Sequence, residues 1–166
     1  QEISLRRHGI LLRFTIPGVG ERTLEHLVLD LNGTLTTDGQ LIPGVKWRIS
    51  KLRDYLAIYL LTADTFGRGA VIASELELGL RVVSPIDGGK DKRQFVKELG
   101  SEQVVAIGNG ANDEAMLEEA GLSIVVAGRE GCWARNVAAA DILVTDIRDA
   151  LDMLLDERRI IATMRS

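Results

Sequence analysis

The chain has 166 residues, which is long enough for one α/β domain with a buried core. Its 24 acidic and 20 basic residues give a formal charge of −4, and only 4% of its residues are aromatic, which disfavours nucleic acid as a partner. The single cysteine, Cys132, excludes an internal disulfide and a cysteine metal cluster, and it favours a reducing, cytoplasmic compartment.

The first predicted element is a β-hairpin. Residues 10–16 and 21–25 are strand-like and are joined by Pro-Gly-Val-Gly, a typical turn sequence, so residues 1–25 are predicted to form a hairpin extension. No apolar run approaches the roughly 20 residues that a membrane-spanning helix needs, so we expect no membrane partner. His8 and His26 are too few and too isolated to indicate a histidine metal site.

Beyond the hairpin, short apolar runs alternate with amphipathic stretches. The runs that predict strands are residues 27–31, 57–62, 80–84, 103–107, 122–126 and 142–145. The stretches that predict helices lie near residues 45–55, 67–78, 91–99, 112–120, 130–139 and 147–155. Almost continuous apolarity suits strands that are covered on both faces. The alternation therefore predicts α/β architecture: a single doubly wound, Rossmann-like, mostly parallel sheet in one domain over residues 1–166.

Polar residues cluster where the predicted strands end. They are Asp30, Asn32 and Thr34 after the first core strand, Thr62 and Asp64 after the second, and Asn109, Asn112 and Asp113 after the fourth. Lys92 is expected to begin the helix that leads into the fourth strand. Because ligands of such sheets bind at the carboxyl ends of the strands, we expect these side chains to form one site.

These residue types suit phosphoryl transfer through a carboxylate. Asp30 can attack a phosphoryl group and hold it as an acyl phosphate. Thr62 can bind the transferring oxygens, and Lys92 can neutralise the developing charge. A hard divalent cation would need oxygen ligands such as Asp30 and Asp113. Gly33 and Gly110 would let backbone N–H groups approach the phosphate.

Each piece alone has an ordinary structural explanation. The stretch "GNGAND" is typical of a turn and helix cap, with Asn112 or Asp113 capping the helix 113–120. It lacks the third glycine and the downstream acidic residue of a dinucleotide-binding motif. A lone Lys92 is usually a solvated helix residue, and a lone Thr62 is a strand end. The order of the pieces along the chain carries more information than any one of them.

Four ordered stretches resemble a known family. "DLNGTLT" (30–36), "LLTAD" (60–64), "DKRQFV" (91–96) and "AIGNGANDEAML" (106–117) resemble the four motifs of the haloacid dehalogenase superfamily. Within it, the chain is most similar to the phosphorylation domain of P-type ATPases and to small soluble P-type-ATPase-like phosphatases. The resemblance spans roughly residues 25–155 and implies a Mg²⁺-dependent site.

The resemblance implies roles for individual residues. Asp30 would be the phosphoryl-accepting nucleophile and a Mg²⁺ ligand, with the backbone carbonyl of Asn32 as a second ligand. Position 109 would bind Mg²⁺ directly, and Asp113 would hold it through water. The phosphoryl oxygens would be bound by Thr62 and Lys92.

Further positions of the motifs also match. Gly33 and Thr34 fall in the turn of the phosphate loop, and Ala63 follows Thr62 in the phosphate-binding segment. Asp64 matches the acidic residue of the second ATPase motif. Asn112 lies in the fourth motif, next to Asp113.

Two positions depart from the family pattern. Most phosphatases of the superfamily have at position 32 an Asp that protonates the leaving group and then activates water. Asn32 can donate a hydrogen bond but cannot shuttle a proton at neutral pH. Position 109 is usually a Mg²⁺-binding Asp, whereas Asn109 offers an uncharged amide oxygen. The site therefore keeps its loop shape and loses two negative charges.

The motifs are too close together for a cap domain. The 27 residues from 35 to 61 are filled by a flap hairpin, with its turn predicted at Asp38-Gly39, one helix and one strand. No cap fits between Thr62 and Lys92 either. The resemblance thus implies a capless, open site for a small phosphorylated substrate, and capless members often form homo-oligomers that cover it.

Three functions remain open at this point. The first is a slow Mg²⁺-dependent phosphatase or phosphotransferase that acts through an aspartyl-phosphate on Asp30. The second is a catalytically impaired member that binds a phosphorylated ligand or a protein partner, which the two asparagines favour. The third, a receiver domain, is disfavoured because receivers have an acidic pair on the first strand and a later phosphoacceptor. The segment "HLVLD" offers only Asp30.

Overall fold

The structure, a computed structural model, describes residues 11–64 and 67–166. His8 and the first ten residues of the predicted extension lie outside the described residues. Strands β1 (Leu12–Ile16) and β2 (Gly20–Leu24) pair antiparallel, which confirms the N-terminal hairpin. No described helix is both long and apolar enough to cross a membrane.

A six-stranded parallel sheet forms the centre of the molecule. Its strands are β3 (His26–Asp30), β6 (Ala57–Thr62), β7 (Gly79–Val82), β8 (Val104–Gly108), β9 (Leu122–Val126) and β10 (Ile142–Val144). Their spatial order is β10-β9-β8-β3-β6-β7. The chain proceeds outward from β3 to β6 and β7, then returns to the other side of β3 to form β8. The carboxyl ends of β3 and β8 therefore lie at a topological switch point, where ligands of such sheets bind.

Helices cover both faces of this sheet. They are α1 (Val45–Leu52), α2 (Arg68–Leu76), α3 (Gly88–Leu99), α4 (Glu114–Glu119), α5 (Asn136–Ala139), α6 (Ile147–Leu155) and α7 (Glu157–Met164). Side chains of β3 alternate between two apolar layers: Leu27 and Leu29 join the larger core cluster, and Val28 joins the smaller one. This double coverage explains why β3 is almost continuously apolar until Asp30.

A small flap hairpin follows β3. Strands β4 (Thr36–Thr37) and β5 (Gln40–Leu41) pair antiparallel. Both Asp38 and Gly39 have positive φ angles, 51° and 76°, as a two-residue turn of this kind requires. The predicted flap with its turn at Asp38-Gly39 is confirmed. Within residues 11–64 and 67–166 no cap domain interrupts the sheet, which agrees with the prediction.

Two helix predictions are wrong in their bounds. Helix α3 begins at Gly88, so Lys92 lies in its second turn and does not begin it. The predicted helix 130–139 forms only over Asn136–Ala139, because Gly131 has a φ of 76° and the preceding backbone bonds to a neighbouring loop. Helix α7 was not predicted from the sequence; it contacts β1 of the N-terminal hairpin. Just beyond α7, the N–H of Ser166 donates to the carbonyl of Pro17 at 3.2 Å.

Candidate active site

An open cleft of about 440 Å³ lies at the carboxyl ends of β3, β6 and β8. It is lined by Asp30, Asn32, Thr62, Ala63, Asp64, Lys92, Asn109, Gly110 and Asn112. Most of these groups follow three neighbouring parallel strands of the sheet, and Lys92 comes from α3. The structure thus brings together nearly all of the residues that the sequence placed in one site.

Asp30, Lys92 and Asp113 form a buried ion triad in the floor of the cleft. The Lys92 Nζ donates to Oδ1 of Asp30 at 2.9 Å and to Oδ1 of Asp113 at 2.7 Å. The other oxygen of Asp113 accepts the N–H groups of Asn109 and Gly110 at 2.9 and 3.0 Å. Lys92 and Asp113 are fully buried, whereas 7% of Asp30 is exposed. Asp30 is therefore the member of the triad that a ligand can reach.

The ion triad holds two carboxylates against one ammonium. Burial, followed by the negative charge of Asp113, raises the pKa of Asp30 to about 7, against the opposing effect of Lys92. Burial lowers the pKa of Lys92, but Asp30 and Asp113 outweigh it and the pKa of Lys92 is raised. Lys92 is therefore a permanent cation, and Asp30 changes charge near neutral pH.

Thr34 connects Asp30 to Asn109. Its Oγ1 lies 3.2 Å from Oδ2 of Asp30 and 3.1 Å from Oδ1 of Asn109. A hydroxyl has one proton and both neighbours are acceptors when Asp30 is ionised, so only one of the two contacts can then be a hydrogen bond. A proton on Asp30 satisfies the second contact, whereas donation from Thr34 to the ionised carboxylate lowers the pKa of Asp30.

Two glycines permit the close approach of these groups. Gly33 has a φ of 77°, and a Cβ there would lie 2.4 Å from Nδ2 of Asn109. A Cβ on Gly108 would lie 2.6 Å from the carboxylate of Asp113. Sequence analysis named Gly33 but missed Gly108. The N–H of Gly110 donates to the carboxylate of Asp113 at 3.0 Å.

Residues 131–136, here called the buttress segment, hold the loop after β8. The Trp133 N–H donates to the carbonyl of Asn109 at 2.7 Å, and Nδ2 of Asn136 donates to the carbonyl of Gly110 at 2.8 Å. Nδ2 of Asn109 donates in turn to the carbonyl of Gly131 at 3.3 Å, which fixes its amide oxygen toward Thr34. Sequence analysis missed this role of the segment. Its one available signal was Gly131, a poor residue for the interior of the predicted helix.

Thr62 and Asp64 form the opposite wall of the cleft. The Thr62 Oγ1 accepts the N–H of Asp64 at 3.0 Å, which leaves its proton available to a ligand. The Asp64 carboxylate accepts the N–H of Gly69 at 2.9 Å, in the first turn of α2. A Cβ on Gly69 would lie 2.6 Å from the methyl group of Thr62. The carboxylate of Asp64 therefore links this wall of the cleft to α2 at Gly69, where a larger side chain would clash with Thr62.

Asn32 and Asn112 lie at the exposed mouth of the cleft. The amide of Asn32 makes no hydrogen bond to any residue in the described part of the chain. Taken alone, the stretch "GNGAND" is typical of a helix cap with Asn112 or Asp113 as the capping residue, and the Asp113 carboxylate does accept the N–H of Gly110 ahead of the short turn 111–113. Helix α4 has no side-chain cap, because the carboxylate of Asp113 is directed back to the ion triad and to the loop after β8.

The donor set of the cleft fits a hard cation only loosely. Oδ2 of Asp30 and Oδ1 of Asn109 face the same hydroxyl of Thr34, and the ion triad has an excess negative charge. Both oxygens of Asp113 already have partners within the protein. Among the described residues, no group of three or more His, Cys, Asp or Glu side chains has the spacing of a metal site. A bound Mg²⁺ would therefore rely on one carboxylate, one amide, the backbone and water.

Sequence comparison adds to this geometry. A family model described as haloacid dehalogenase-like hydrolase matches residues 88–130, which include Lys92 and the loop after β8. The uncharacterized protein MJ0073 of Methanocaldococcus jannaschii is 51% identical over 72 residues, which are 43% of this chain and 77% of that protein. The chain belongs to the haloacid dehalogenase superfamily.

Solved structures share the superfamily fold. Deoxy-D-mannose-octulosonate 8-phosphate phosphatase from Haemophilus influenzae, in a cobalt-bound form, is 18% identical with a TM-score of 0.69 over 86% of this chain and 94% of that one. The 3-deoxy-D-manno-octulosonate 8-phosphate phosphatase from Moraxella catarrhalis, with magnesium, phosphate and KDO, is 20% identical with a TM-score of 0.64 over the same shares.

A P-type ATPase is also among the similar structures. The catalytic domain of the CPx-ATPase CopB-B is 28% identical, with a TM-score of 0.55 over 69% of this chain and 45% of that one. The superfamily that the four motifs indicated is therefore confirmed, and its similarity to an ATPase catalytic domain is confirmed with it.

Proposed function

We propose that this superfamily member is a slow Mg²⁺-dependent phosphatase that carries the phosphoryl group on Asp30. The observation that carries the proposal is the ion triad: a reachable carboxylate is held by a fully buried lysine at the bottom of an open cleft. Buried ions are expensive to maintain, and a fold that needed only a stable core would gain from apolar residues there.

In the first step, an oxygen of ionised Asp30 attacks phosphorus, the ester P–O bond breaks, and an acyl phosphate forms. Lys92 favours the ionised form of Asp30 and offers its charge to the transferring oxygens. The Thr62 hydroxyl can donate to one of these oxygens. The departing oxygen needs a proton, and Asn32 cannot supply one, so that proton comes from water.

In the second step, water attacks phosphorus, and the acyl phosphate bond to Asp30 breaks. This attack is fastest when a base removes a proton from the water, and a positioned base is worth about 10²–10⁴-fold. Asn32 lines the same cleft as Asp30, but its amide cannot accept a proton from that water. We therefore expect hydrolysis of the aspartyl-phosphate to limit turnover.

Mg²⁺, when bound by Asp30, Asn109 and the carbonyl of Asn32, would neutralise charge on the transferring phosphoryl group. Two similar structures are phosphatases with bound cobalt or magnesium. The same two proteins act on a sugar-acid phosphate, and this supports a small phosphorylated substrate here. The absence of a cap among the described residues leaves the cleft open to acyl phosphates as well as esters.

Trapping of the aspartyl-phosphate tests the proposal. The protein is incubated with acetyl phosphate and Mg²⁺, reduced with borohydride, and mapped by mass spectrometry. We expect the adduct on Asp30 and none in Asp30→Asn. Asp64→Asn is the matched control, because Asp64 lines the same cleft and bonds to α2, so it should keep the adduct on Asp30. Modification at another residue, or none at saturating Mg²⁺, would overturn the proposal.

A binding protein for phosphorylated ligands is the second candidate. The contacts of Asn109 favour it, because both ends of that amide are bonded within the protein, to Gly131 and to Thr34. Such a protein would bind phosphate without forming an adduct. Calorimetry with inorganic phosphate, run beside the trapping experiment, separates the two: binding without any adduct on Asp30 supports the second candidate.

A further inference from the structure

Two asparagines of the cleft are each followed by glycine: Asn32-Gly33 and Asn109-Gly110. In such a pair the backbone nitrogen of the glycine can attack Cγ of the asparagine, since no side chain obstructs the approach. The product loses ammonia and is opened by water to a carboxylate. The surroundings of the two pairs differ enough for this structure to distinguish them.

We propose that Asn32 is a deamidation site that gains its carboxylate after synthesis. The Gly33 nitrogen bonds to Cγ of Asn32, the Cγ–Nδ2 bond breaks, and ammonia leaves with the proton of that backbone nitrogen. Water then opens the succinimide, either at Cγ–N to give aspartate at position 32 or at the main-chain carbonyl to give isoaspartate. The net reaction consumes one water and releases one ammonia, so it needs no other reactant.

The side chain of Asn32 is free to take part. It is exposed at the mouth of the cleft, and its amide makes no hydrogen bond to any described residue. Rotation of the side chain toward the next nitrogen therefore breaks no side-chain hydrogen bond to a described residue, and the backbone bridge between Asn32 and Thr36 is the contact that the reaction has to loosen. Water also reaches the side chain, as the second half of the reaction requires.

Asn109 is protected from the same reaction. Only 9% of the residue is exposed, Nδ2 donates to Gly131, and Oδ1 faces the Thr34 hydroxyl. The attacking nitrogen, on Gly110, already donates its proton to Asp113 at 3.0 Å. Deamidation of Asn109 would have to break all three interactions, so the chain carries its own internal control.

The consequence of the modification rests on the proposed function. Asn32 and Asp30 line the same cleft, and an aspartate at position 32 would add a group that can accept and donate a proton beside the nucleophile. The encoded protein would then be a slow form, and the deamidated protein a faster one. Isoaspartate would not serve, because it lengthens the backbone within the tight loop before Thr34.

Peptide mapping of ageing protein tests the modification. Freshly purified protein is held at mildly alkaline pH, and the peptides with Asn32 and Asn109 are followed by mass spectrometry that separates aspartate from isoaspartate. We expect Asn32 to be converted at least about tenfold faster than Asn109, with aspartate among the products. Equal rates, or isoaspartate as the sole product, would overturn the proposal.

An activity measurement separates this proposal from the proposed function. Aged protein should gain phosphatase activity toward that of fresh Asn32→Asp, whereas Asn32→Ser, which cannot deamidate at this position, should gain none on ageing. A gain in Asn32→Ser would overturn the assignment to Asn32. If Asn32 is converted to aspartate and activity stays constant, the modification stands, and the acid/base role that the proposed function gives to position 32 fails.

Discussion

The floor and the rim of the cleft differ in charge and in exposure to water. In the floor, the ion triad of Asp30, Lys92 and Asp113 is dry and held by contacts of 2.7 and 2.9 Å. At the rim, the side chain of Asn32 is exposed and makes no hydrogen bond to a described residue, and Asn109, which lies between floor and rim, is neutral and contacts Gly131 and Thr34. Charge is concentrated where water is excluded, and uncharged amides stand where water enters.

This difference separates two tasks of a phosphoryl-transfer site. Buried charges act strongly because little solvent screens them, and they fix the carboxylate of Asp30. The rim decides how a proton reaches the leaving group or leaves the attacking water. A site with an intact floor and an amide rim should therefore accept a phosphoryl group readily and release it slowly.

The largest effect is expected from removal of the cation of the floor. Lys92→Met leaves two buried carboxylates without a counter-ion, and breaking a buried ion pair costs about 3–5 kcal/mol. We expect a loss of that size in the free energy of unfolding, measured with urea, and loss of the adduct on Asp30. Lys90→Met is the matched control: it is exposed on the same helix, and its change should stay within about 0.5 kcal/mol. Equal losses of unfolding free energy in the two variants would show that Lys92 stabilises the fold no more than an exposed lysine does.

Removal of one carboxylate should have the opposite effect and raise the free energy of unfolding. Asp30→Asn leaves Lys92 balanced by Asp113, and the new amide can donate to the Thr34 hydroxyl, which then donates to Asn109. The pKa of Asp30 is raised from 3.8 to about 7 by folding, so native Asp30 keeps a proton that the unfolded chain has released. Stability therefore falls as pH rises from about 4 to 7, and the full cost applies above pH 7.

Asp30→Asn should relieve this cost. Urea unfolding in EDTA should show the variant more stable than the parent by on the order of 2 kcal/mol at pH 8, with a much smaller difference near pH 4. A difference that is independent of pH would mean that Asp30 is already ionised in the folded protein. Asp64→Asn is the control for the loss of a carboxylate from the cleft without removal of the triad.

At the rim, one added carboxylate should raise turnover. Asn32→Asp supplies the missing acid/base, and steady-state phosphatase activity should rise by at least about tenfold, the low end of the usual effect. Burst kinetics should show that the second, hydrolytic step accelerates. Asn112→Asp adds the same charge at the exposed mouth and should change activity little. Equal gains in the two variants would assign the effect to charge alone and not to position 32.

The smallest expected effect concerns the metal. Asn109→Asp restores a charged oxygen to the cleft, and the number of charged ligands is a main control on the affinity of hard cations. We expect the dissociation constant of Mg²⁺ to fall roughly fivefold or more in calorimetry. Without Mg²⁺ the variant should lose stability, because its carboxylate would face the Gly131 carbonyl where the amide now donates. An unchanged affinity would show that position 109 does not contact the metal.

Much of this site could be predicted from the sequence because its groups follow strands. Asp30, Thr62 and Asn109 each come at or just after the end of an apolar run, and parallel strands bring such ends to one edge. The burial of Lys92 could also have been predicted. Residues 88, 92, 95 and 96 share the buried face of α3, which is the ordinary spacing of an apolar helix stripe.

The remaining features depend on tertiary contacts that leave no local pattern. The buttress segment is held by bonds from Trp133 and Asn136 to backbone carbonyls, and a backbone carbonyl has no sequence signature. Its composition favours a helix, and tertiary contacts override that preference. Likewise, Gly108 is required only because Asp113 turns back toward it, and the sequence gives no sign of that direction.

The position of β3 in the sheet also has a consequence for how the protein folds. Its two neighbours, β6 and β8, come from distant parts of the chain, and 62 residues separate Lys92 from the Asp30 that it contacts. Contacts of this range form slowly, because the loop-closure entropy is lost before the contact is gained. Asp30 therefore meets Lys92 only after β6 and α3 have docked on β3. We expect the ability to form the aspartyl-phosphate to return among the last properties during refolding, after most helical structure has formed.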